Sequence, residues 1–299
     1  MKTNVLVLIS LFLFAGVVSG QDAFKVLMNK GTNEVKTGTG WQPIKVGASL
    51  KASDEIKLPE NAYLGLIHVS GKPLELKEAG KYSVADLDKK IGSSGTSVLN
   101  KYADFVLSAN KEKKNNLAAT GAVHRGPNNI KIYLPKPESA IVYNNTVIIS
   151  WEKDKAQSPY LVTFKSMFGD ELKKAEVTEN AISIDLNDSN FDNEDNIIVT
   201  VASKADRNKV SDEYTLKKLS KGDKVRIKNS LNEIVEQTAE QTALNKLVLA
   251  GFYEQNGLLI DASTAYLEAI KLAPDVTPYA DAYNDFLLRN ALKEQPVKK

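Results

Sequence analysis

Between residues 41 and 82 the sequence reads Trp41-Gln-Pro-Ile-Lys-Val-Gly-Ala-Ser-Leu-Lys51, then Asp54-Glu-Ile-Lys-Leu58, then Asn61-Ala-Tyr-Leu-Gly-Leu-Ile-His-Val-Ser-Gly-Lys72, and it ends with Leu74-Glu-Leu76 and Gly80-Lys-Tyr82. Apolar residues come in short alternating runs, and Gly, Pro, Asn and Ser interrupt those runs every few residues. This pattern is typical of short antiparallel strands. The stretch therefore predicts a small antiparallel β-domain, and we find in it no set of residues that amounts to an active site.

The same stretch resembles the periplasmic FecR-like domain. In that family a Trp precedes a Gly-x-x-Leu turn and an Asp-x-Ile strand, and an Ala-x-x-x-Leu strand then leads to Ser/Asp-Gly and Leu-x-Leu. The matching residues are Val35, Trp41, Ile44, Gly47, Leu50, Asp54, Ile56, Ala62, Leu66, Gly71, Leu74 and Leu76. Well-known members join this domain to a cytoplasmic segment that restrains a sigma factor. We expect no such segment here, so the resemblance implies an exported β-module.

The first 20 residues have the pattern of an export signal. Lys2 gives a positive start, an apolar run extends from Val5 to Val18, and small residues precede Gln21. The run is shorter than the roughly 20 residues that span a bilayer. We therefore expect cleavage near Gln21 and a periplasmic protein without membrane insertion, with an uncleaved anchor or a secreted protein as alternatives. The chain has no Cys, which excludes a lipid-modified cysteine, disulfides and Cys-metal sites.

Composition and motifs argue against catalysis and against nucleic-acid binding. The net charge is only +2, whereas a nucleic-acid binder needs a basic patch. No Gly-rich phosphate loop follows a strand, and His68 and His124 lie in no recognisable catalytic or metal-binding context. The sequence predicts no catalytic, cofactor-binding or metal-binding residue.

The first domain is predicted to span residues 21–134. Phe24, Val26 and Met28 alternate and predict an edge strand, and residues 96–109 have helical spacing, which predicts an appended helix packed on the β-domain. Trp41 is either a packing residue at the core or rim, which is the commoner case, or a ligand-stacking aromatic. His68 either points away from its apolar neighbours or is buried and hydrogen-bonded.

The middle domain is predicted to span residues 135–219, after Pro135-Lys-Pro137. Six or seven short strands in about 80 residues are typical of a β-sandwich. The strands Val147-Ile-Ile-Ser-Trp151 and Ile198-Val-Thr-Val201 resemble those of a fibronectin type III-like domain, which implies a spacer or adhesion fold. The acidic run Asp185–Asp195 is either a calcium loop or, more plainly, a solvated turn, because it lacks the Gly and Glu of an EF-hand.

The C-terminal domain is predicted to span residues 220–299 and to contain four helices. The second and third helices resemble one tetratricopeptide repeat, and the matching residues are Ala250, Tyr253, Gly257, Ala262, Tyr266, Ala269, Leu272 and Pro274. The resemblance implies that Tyr266 packs against Tyr253 and Ala250. A single repeat is too short for a peptide-binding array.

The sequence therefore predicts a multidomain fold that is all-β followed by all-α, whose units have separate cores. The expected function is that of a non-catalytic interaction or scaffold protein of the bacterial cell envelope, which binds envelope proteins. The alternative is a periplasmic ligand-binding or sensing protein that uses the FecR-like domain.

Overall fold

The computed structural model describes residues 21–38, 40–92, 98–111, 129–153, 158–206, 208–235 and 238–294. These residues form 15 strands and six α-helices, so the expected combination of antiparallel β-structure with helices is confirmed. The export segment 1–20 and His124 lie outside the described residues. Among the residues described, no helix is both long and apolar enough to cross a membrane.

The N-terminal unit has eight short strands in two four-stranded antiparallel sheets. The strands are β1 (Asp22–Lys30), β2 (Glu34–Thr37), β3 (Gly40–Pro43), β4 (Ser49–Lys51), β5 (Glu55–Leu58), β6 (Tyr63–His68), β7 (Pro73–Leu76) and β8 (Gly80–Ser83). Their orders are β4-β1-β6-β7 and β3-β2-β5-β8. The two sheets share a core that includes Phe24, Val26, Ile56 and Leu66, and helix α1 (Val84–Ile91) packs beside it.

The sequence-based assignment of the Phe24–Met28 strand to a sheet edge is wrong. β1 lies between β4 and β6, and all six residues of β6 are buried. Leu27, Met28, Tyr63 and Ile67 contribute to a second core, on the side of the helices. The sheet is therefore covered on both faces, which explains why apolar residues fill β6 without alternation.

The middle unit has seven strands in two sheets. They are β9 (Ile141–Val142), β10 (Thr146–Ser150), β11 (Tyr160–Lys165), β12 (Glu171–Val177), β13 (Ala181–Asp185), β14 (Asn196–Ser203) and β15 (Tyr214–Lys218). One sheet has the order β12-β11-β14-β15-β9, and the other pairs β10 with β13. Both sheets contribute to one core around Trp151, which is fully buried. Ile130, Ile132 and Leu134 also lie in this core, so the chain enters the middle unit ahead of Pro135.

The remaining five helices form the second core. They are α2 (Val98–Lys111), α3 (Lys221–Val235), α4 (Ala243–Gln255), α5 (Leu259–Leu272) and α6 (Thr277–Arg289). As expected, α2 packs back on the first unit: Lys25 pairs with Asp104 at 2.6 Å, and the Asn100 amide donates to the Val69 carbonyl. Gly251 allows α4 to approach α2 closely, because a Cβ there would lie 2.8 Å from Val106 Cγ2.

Buried polar groups join the helices to the first sheet. Glu75 of β7 accepts a hydrogen bond of 2.8 Å from the backbone amide of Leu244, which lies in the first turn of α4. A carboxylate at this end of a helix also complements the helix dipole. The hydroxyls of Tyr63 and Tyr279 lie 2.5 Å apart in the shared core.

The helices also bind the middle unit. Asp261 of α5 accepts hydrogen bonds from the amides of Tyr143 and Asn144, and Thr264 accepts one from the amide of Ile148. The Ser150 and Tyr283 hydroxyls are 2.7 Å apart. The expectation of separate cores is therefore wrong for the helices and the first sheet, because the helical cluster continues into β1 and β6.

Candidate functional site

The most exposed large apolar side chain among the described residues stands at the tip of the hairpin between β11 and β12. Phe168 is 94% exposed, and the adjacent Met167 is 54% exposed. Single exposed apolar residues are ordinary on protein surfaces. An adjacent Met and Phe at a projecting turn is different, because both residue types are enriched at protein interfaces.

Hydrogen bonds converging on Ser166 hold this turn. Its Oγ accepts from the amides of Phe168 and Asp170, at 3.1 and 3.2 Å, and it lies 3.2 Å from the Asp170 carboxylate, to which it donates. The Ser166 amide donates to the Asp170 carbonyl, and the Gly169 amide donates to the Ser166 carbonyl. Gly169 has a φ of +94°, a conformation that favours glycine. The aromatic ring is thus presented by a fixed backbone, which lowers the entropy lost on binding.

The loop Asp185–Asp195 lies beside this hairpin. Asp188 pairs with Lys173 of β12, and Phe191 is buried against Phe164 of β11, with 5.8 Å between ring centroids. The hydrogen bond from Lys173 lowers the pKa of Asp188. Asp188 also caps a short 3-10 helix, Ser189–Phe191. In the described part of the chain, no group of three or more His, Asp or Glu residues is arranged to hold a metal ion.

Trp41 lies on the solvent side of the sheet that contains β3, outside the three hydrophobic clusters. The ammonium groups of Lys36, Lys57 and Lys81 are each 5.8–5.9 Å from the centre of its ring. Lys36 pairs with Glu55 and Lys57 pairs with Glu34. Of the two sequence-based alternatives, the structure therefore rules out a core position and leaves the rim position and the stacking role open.

His68 is buried and hydrogen-bonded, as one of the two alternatives stated. Its Nδ1 lies 2.7 Å from the Ser70 hydroxyl, and its Nε2 lies 2.7 Å from the Asp88 carboxylate. These are the residue types of a catalytic triad. The surrounding amides are already engaged, however: Val69 donates to the Ala23 carbonyl, Ser70 to His68 Nδ1, and Gly71 to the His68 carbonyl. No pair of amides from these residues remains to stabilise an oxyanion, and the arrangement instead ties the β6–β7 turn to α1.

Tyr266 is fully buried, in agreement with a structural role. Its aromatic neighbours are on α6, with ring centroids 5.0 Å from Phe286 and 6.1 Å from Tyr283. Tyr253 and Ala250 belong to the same hydrophobic cluster, and direct packing of Tyr266 against them stays a prediction. The Tyr266 hydroxyl accepts a hydrogen bond from Arg289, which binds Glu254 through two nitrogen atoms. Burial raises the pKa of Tyr266.

A cleft of about 290 Å³ lies between the β9–β10 turn and α3. Its lining residues are Tyr143, Asn144, Asn145, Lys224, Val225 and Lys228. Asp261 holds the turn from within the protein, and burial raises the pKa of its carboxyl to about 6. The cleft brings together none of the residues that the sequence singled out as candidates.

Sequence reasoning missed Phe168, although a signal for it exists. Met167-Phe-Gly169 places two large apolar residues where the β11 run ends and a turn is required. Turns normally take small or polar residues, so an apolar pair at a turn is a sequence signal for an exposed contact site.

Comparison with known proteins does not identify the chain. No family model matches it, and no curated protein matches it. Among solved structures, the chain is similar to the complex of Porphyromonas gingivalis RgpB pro- and mature domains, with 22% identity and a TM-score of 0.22. The match covers 31% of this chain and 19% of that one, which is too little to support an argument about fold or function.

Proposed function

We propose that this chain is a non-catalytic protein-interaction or scaffold protein of the bacterial cell envelope. In this proposal it is exported with cleavage near Gln21 and has a FecR-like β-domain, a fibronectin type III-like sandwich and a tetratricopeptide-repeat-like helical unit. The observation that carries the proposal is the exposure of Phe168 on a hydrogen-bonded turn.

The energetic argument is direct. Burying one Phe side chain that is otherwise in water contributes about 1.5 to 3 kcal/mol, and aromatic anchors of this kind dominate many protein interfaces. The helices share a core with the first sheet and hydrogen-bond to both β-units, so the tip belongs to a connected structure.

The test is affinity capture from envelope extract with the tagged full-length chain. Wild type is compared with Phe168→Ser and with Val46→Ser, a matched control because Val46 is also an exposed apolar residue in a turn. The proposal expects a protein that wild type and Val46→Ser recover equally and that Phe168→Ser recovers poorly. Equal recovery by all three would contradict it.

The non-catalytic part has its own test at the His68 constellation. The purified protein should hydrolyse an activated ester such as p-nitrophenyl acetate no faster than Ser70→Ala does. Hydrolysis that disappears in Ser70→Ala would show that His68, Ser70 and Asp88 form a working relay.

A sensing or ligand-binding function of the first domain is the second candidate, and the position of Trp41 favours it. Trp151 is fully buried, so Trp41 is the partly exposed one of the chain's two Trp residues. A small molecule that stacks on Trp41 should change the intrinsic fluorescence, and Trp41→Phe should remove that change. Small-molecule screens that leave the fluorescence of wild type unchanged would count against this candidate.

A further inference from the structure

The loop beside the Phe168 tip carries an excess of negative charge. Between residues 185 and 195 there are five carboxylates and no basic residue. Asp188 is neutralised by Lys173. The other four carboxylates have no ion-pair partner in the described part of the chain, and they are Asp185, Asp192, Glu194 and Asp195.

The hairpin itself does not cancel this excess. Its turn end carries one basic residue, Lys165, and one acidic residue, Asp170, while Lys174 pairs with Glu171. The hairpin that carries Phe168 thus lies beside a loop in which four carboxylates form no ion pair within the described residues. Lys218 of β15 also reaches this loop, where its ammonium donates to the Phe191 carbonyl at 2.6 Å, so the five carboxylates still outnumber the basic groups that contact the loop, Lys173 and Lys218.

The tip and the acidic loop lie at the same end of the middle unit. In the strand register, Lys165 is opposite Ile198, so the hairpin turn begins where β14 emerges from the acidic loop. The ion pair of Asp188 with Lys173 and the contact of Phe191 with Phe164 fix the loop against the hairpin. We call Met167, Phe168 and the loop Asp185–Asp195 the docking end.

From this juxtaposition we propose that the docking end binds a protein whose contact surface has an apolar pocket bordered by Lys or Arg side chains. The inference rests on the proposed function and specifies its partner. Phe168 fills the pocket, and the four free carboxylates face the basic rim. Charge complementarity of this kind raises association rates and excludes other surfaces. An anionic lipid surface would be repelled by the negative loop, and so would the docking end of a second copy of this chain.

The experiment replaces Phe168, in the full-length chain inside the producing cells, with a benzophenone-bearing phenylalanine analogue. Irradiation cross-links the analogue to the molecule that the tip contacts, and mass spectrometry then identifies the cross-linked residue. The cross-linking is repeated in envelope extract at about 50 and about 500 mM salt, which shortens the electrostatic range from more than 10 Å to less than 5 Å. Two double variants carrying the analogue are compared. Asp192→Asn with Asp195→Asn removes charge from the docking end, and Asp275→Asn with Asp281→Asn is the control at exposed positions of the helical unit.

The inference expects one cross-linked protein, attached in an apolar pocket that Lys or Arg residues border. Its yield should fall by about tenfold at high salt, should fall in the docking-end variant, and should stay unchanged in the control. A yield that changes neither with salt nor in the docking-end variant would overturn the inference of a basic partner and leave the proposed function standing. So would attachment to a second copy of the chain, or a yield that requires calcium and is lost with a chelator. Attachment to lipid alone, or no attachment at all, would overturn both.

Discussion

Replacing Tyr266 by Ala is predicted to destabilise the whole protein by about 3 to 5 kcal/mol, as for other large aromatic truncations. The side chain is fully buried between α5 and α6, beside the rings of Phe286 and Tyr283. Truncation opens a cavity in this ring cluster. It also removes the hydroxyl that lies 3.0 Å from Arg289 Nη2.

Tyr266→Phe is the matched control, because it keeps the ring and removes only the hydroxyl. Arg289 retains both hydrogen bonds to Glu254 in this variant. The expected loss is about 0.5 to 1.5 kcal/mol, well below that of the Ala variant.

The assay is urea unfolding followed by two signals. Circular dichroism reports the helices, and intrinsic fluorescence reports the two Trp residues, Trp41 and Trp151, which both lie in β-units. The helical core includes residues of β1 and β6, and Ser150, next to Trp151, bonds to Tyr283. Both transitions should therefore move to lower urea together. A loss below about 1 kcal/mol, or a shift of the helical signal alone, would refute this reasoning.

Three further predictions concern other parts of the chain. Burial raises the pKa of Asp261 from 3.8 to about 6, so the contribution of the protonated carboxyl to the free energy of unfolding is fully present below pH 4. This contribution, about 3 kcal/mol, is lost as the pH rises through 6. Urea titrations should show the free energy of unfolding decline over this pH range, and the decline should be smaller in Asp261→Asn. Gly251→Ala places a Cβ 2.8 Å from Val106 Cγ2 and should cost about 1 to 3 kcal/mol, whereas Gly222→Ala, which meets nothing within 4 Å, should be close to neutral in the same melting experiment. Mass spectrometry of the native protein should find a mature N-terminus near Gln21, and an intact Met1 on a membrane-embedded species would contradict export with cleavage.

The elements that the sequence predicted well are those with a clear period. Alternation indicated β1 and most strands of the middle unit, but not β9 or β12, and the 3.6-residue period indicated α2 and the four C-terminal helices within a few residues. Burial was one of the two alternatives stated for His68, and a structural role of Tyr266 was expected from the resemblance to a tetratricopeptide repeat. The strands and helices follow from local pattern, which a single sequence contains.

Contacts between units were not predictable in this way. The apolar run of β6 shows that both faces of the strand are buried, but it does not tell which element covers the second face. Glu75 accepts a hydrogen bond from Leu244, and Asp261 accepts one from Asn144. Each of these bonds joins residues more than 100 positions apart. No spacing rule connects such pairs.

Phe168 was missed for a different reason. Sequence reasoning searched the apolar residues for a buried face, and an apolar residue at a turn has no period to indicate its exposure. The signal that was available is its place beside Gly169, where the β11 run ends, and its 94% exposure in the fold then separates it from a core residue such as Phe164.

The central claim, that the Phe168 tip is the docking element, is tested most directly by a dissociation constant. It is measured between the captured protein and the full-length chain as wild type, Phe168→Ser and Val46→Ser. Loss of a buried Phe contact worth about 1.5 to 3 kcal/mol should raise the constant roughly 10- to 150-fold in Phe168→Ser. Val46→Ser should bind as wild type does, and all three proteins should melt at the same temperature. Equal dissociation constants for wild type and Phe168→Ser would contradict the assignment of this hairpin tip as the docking element.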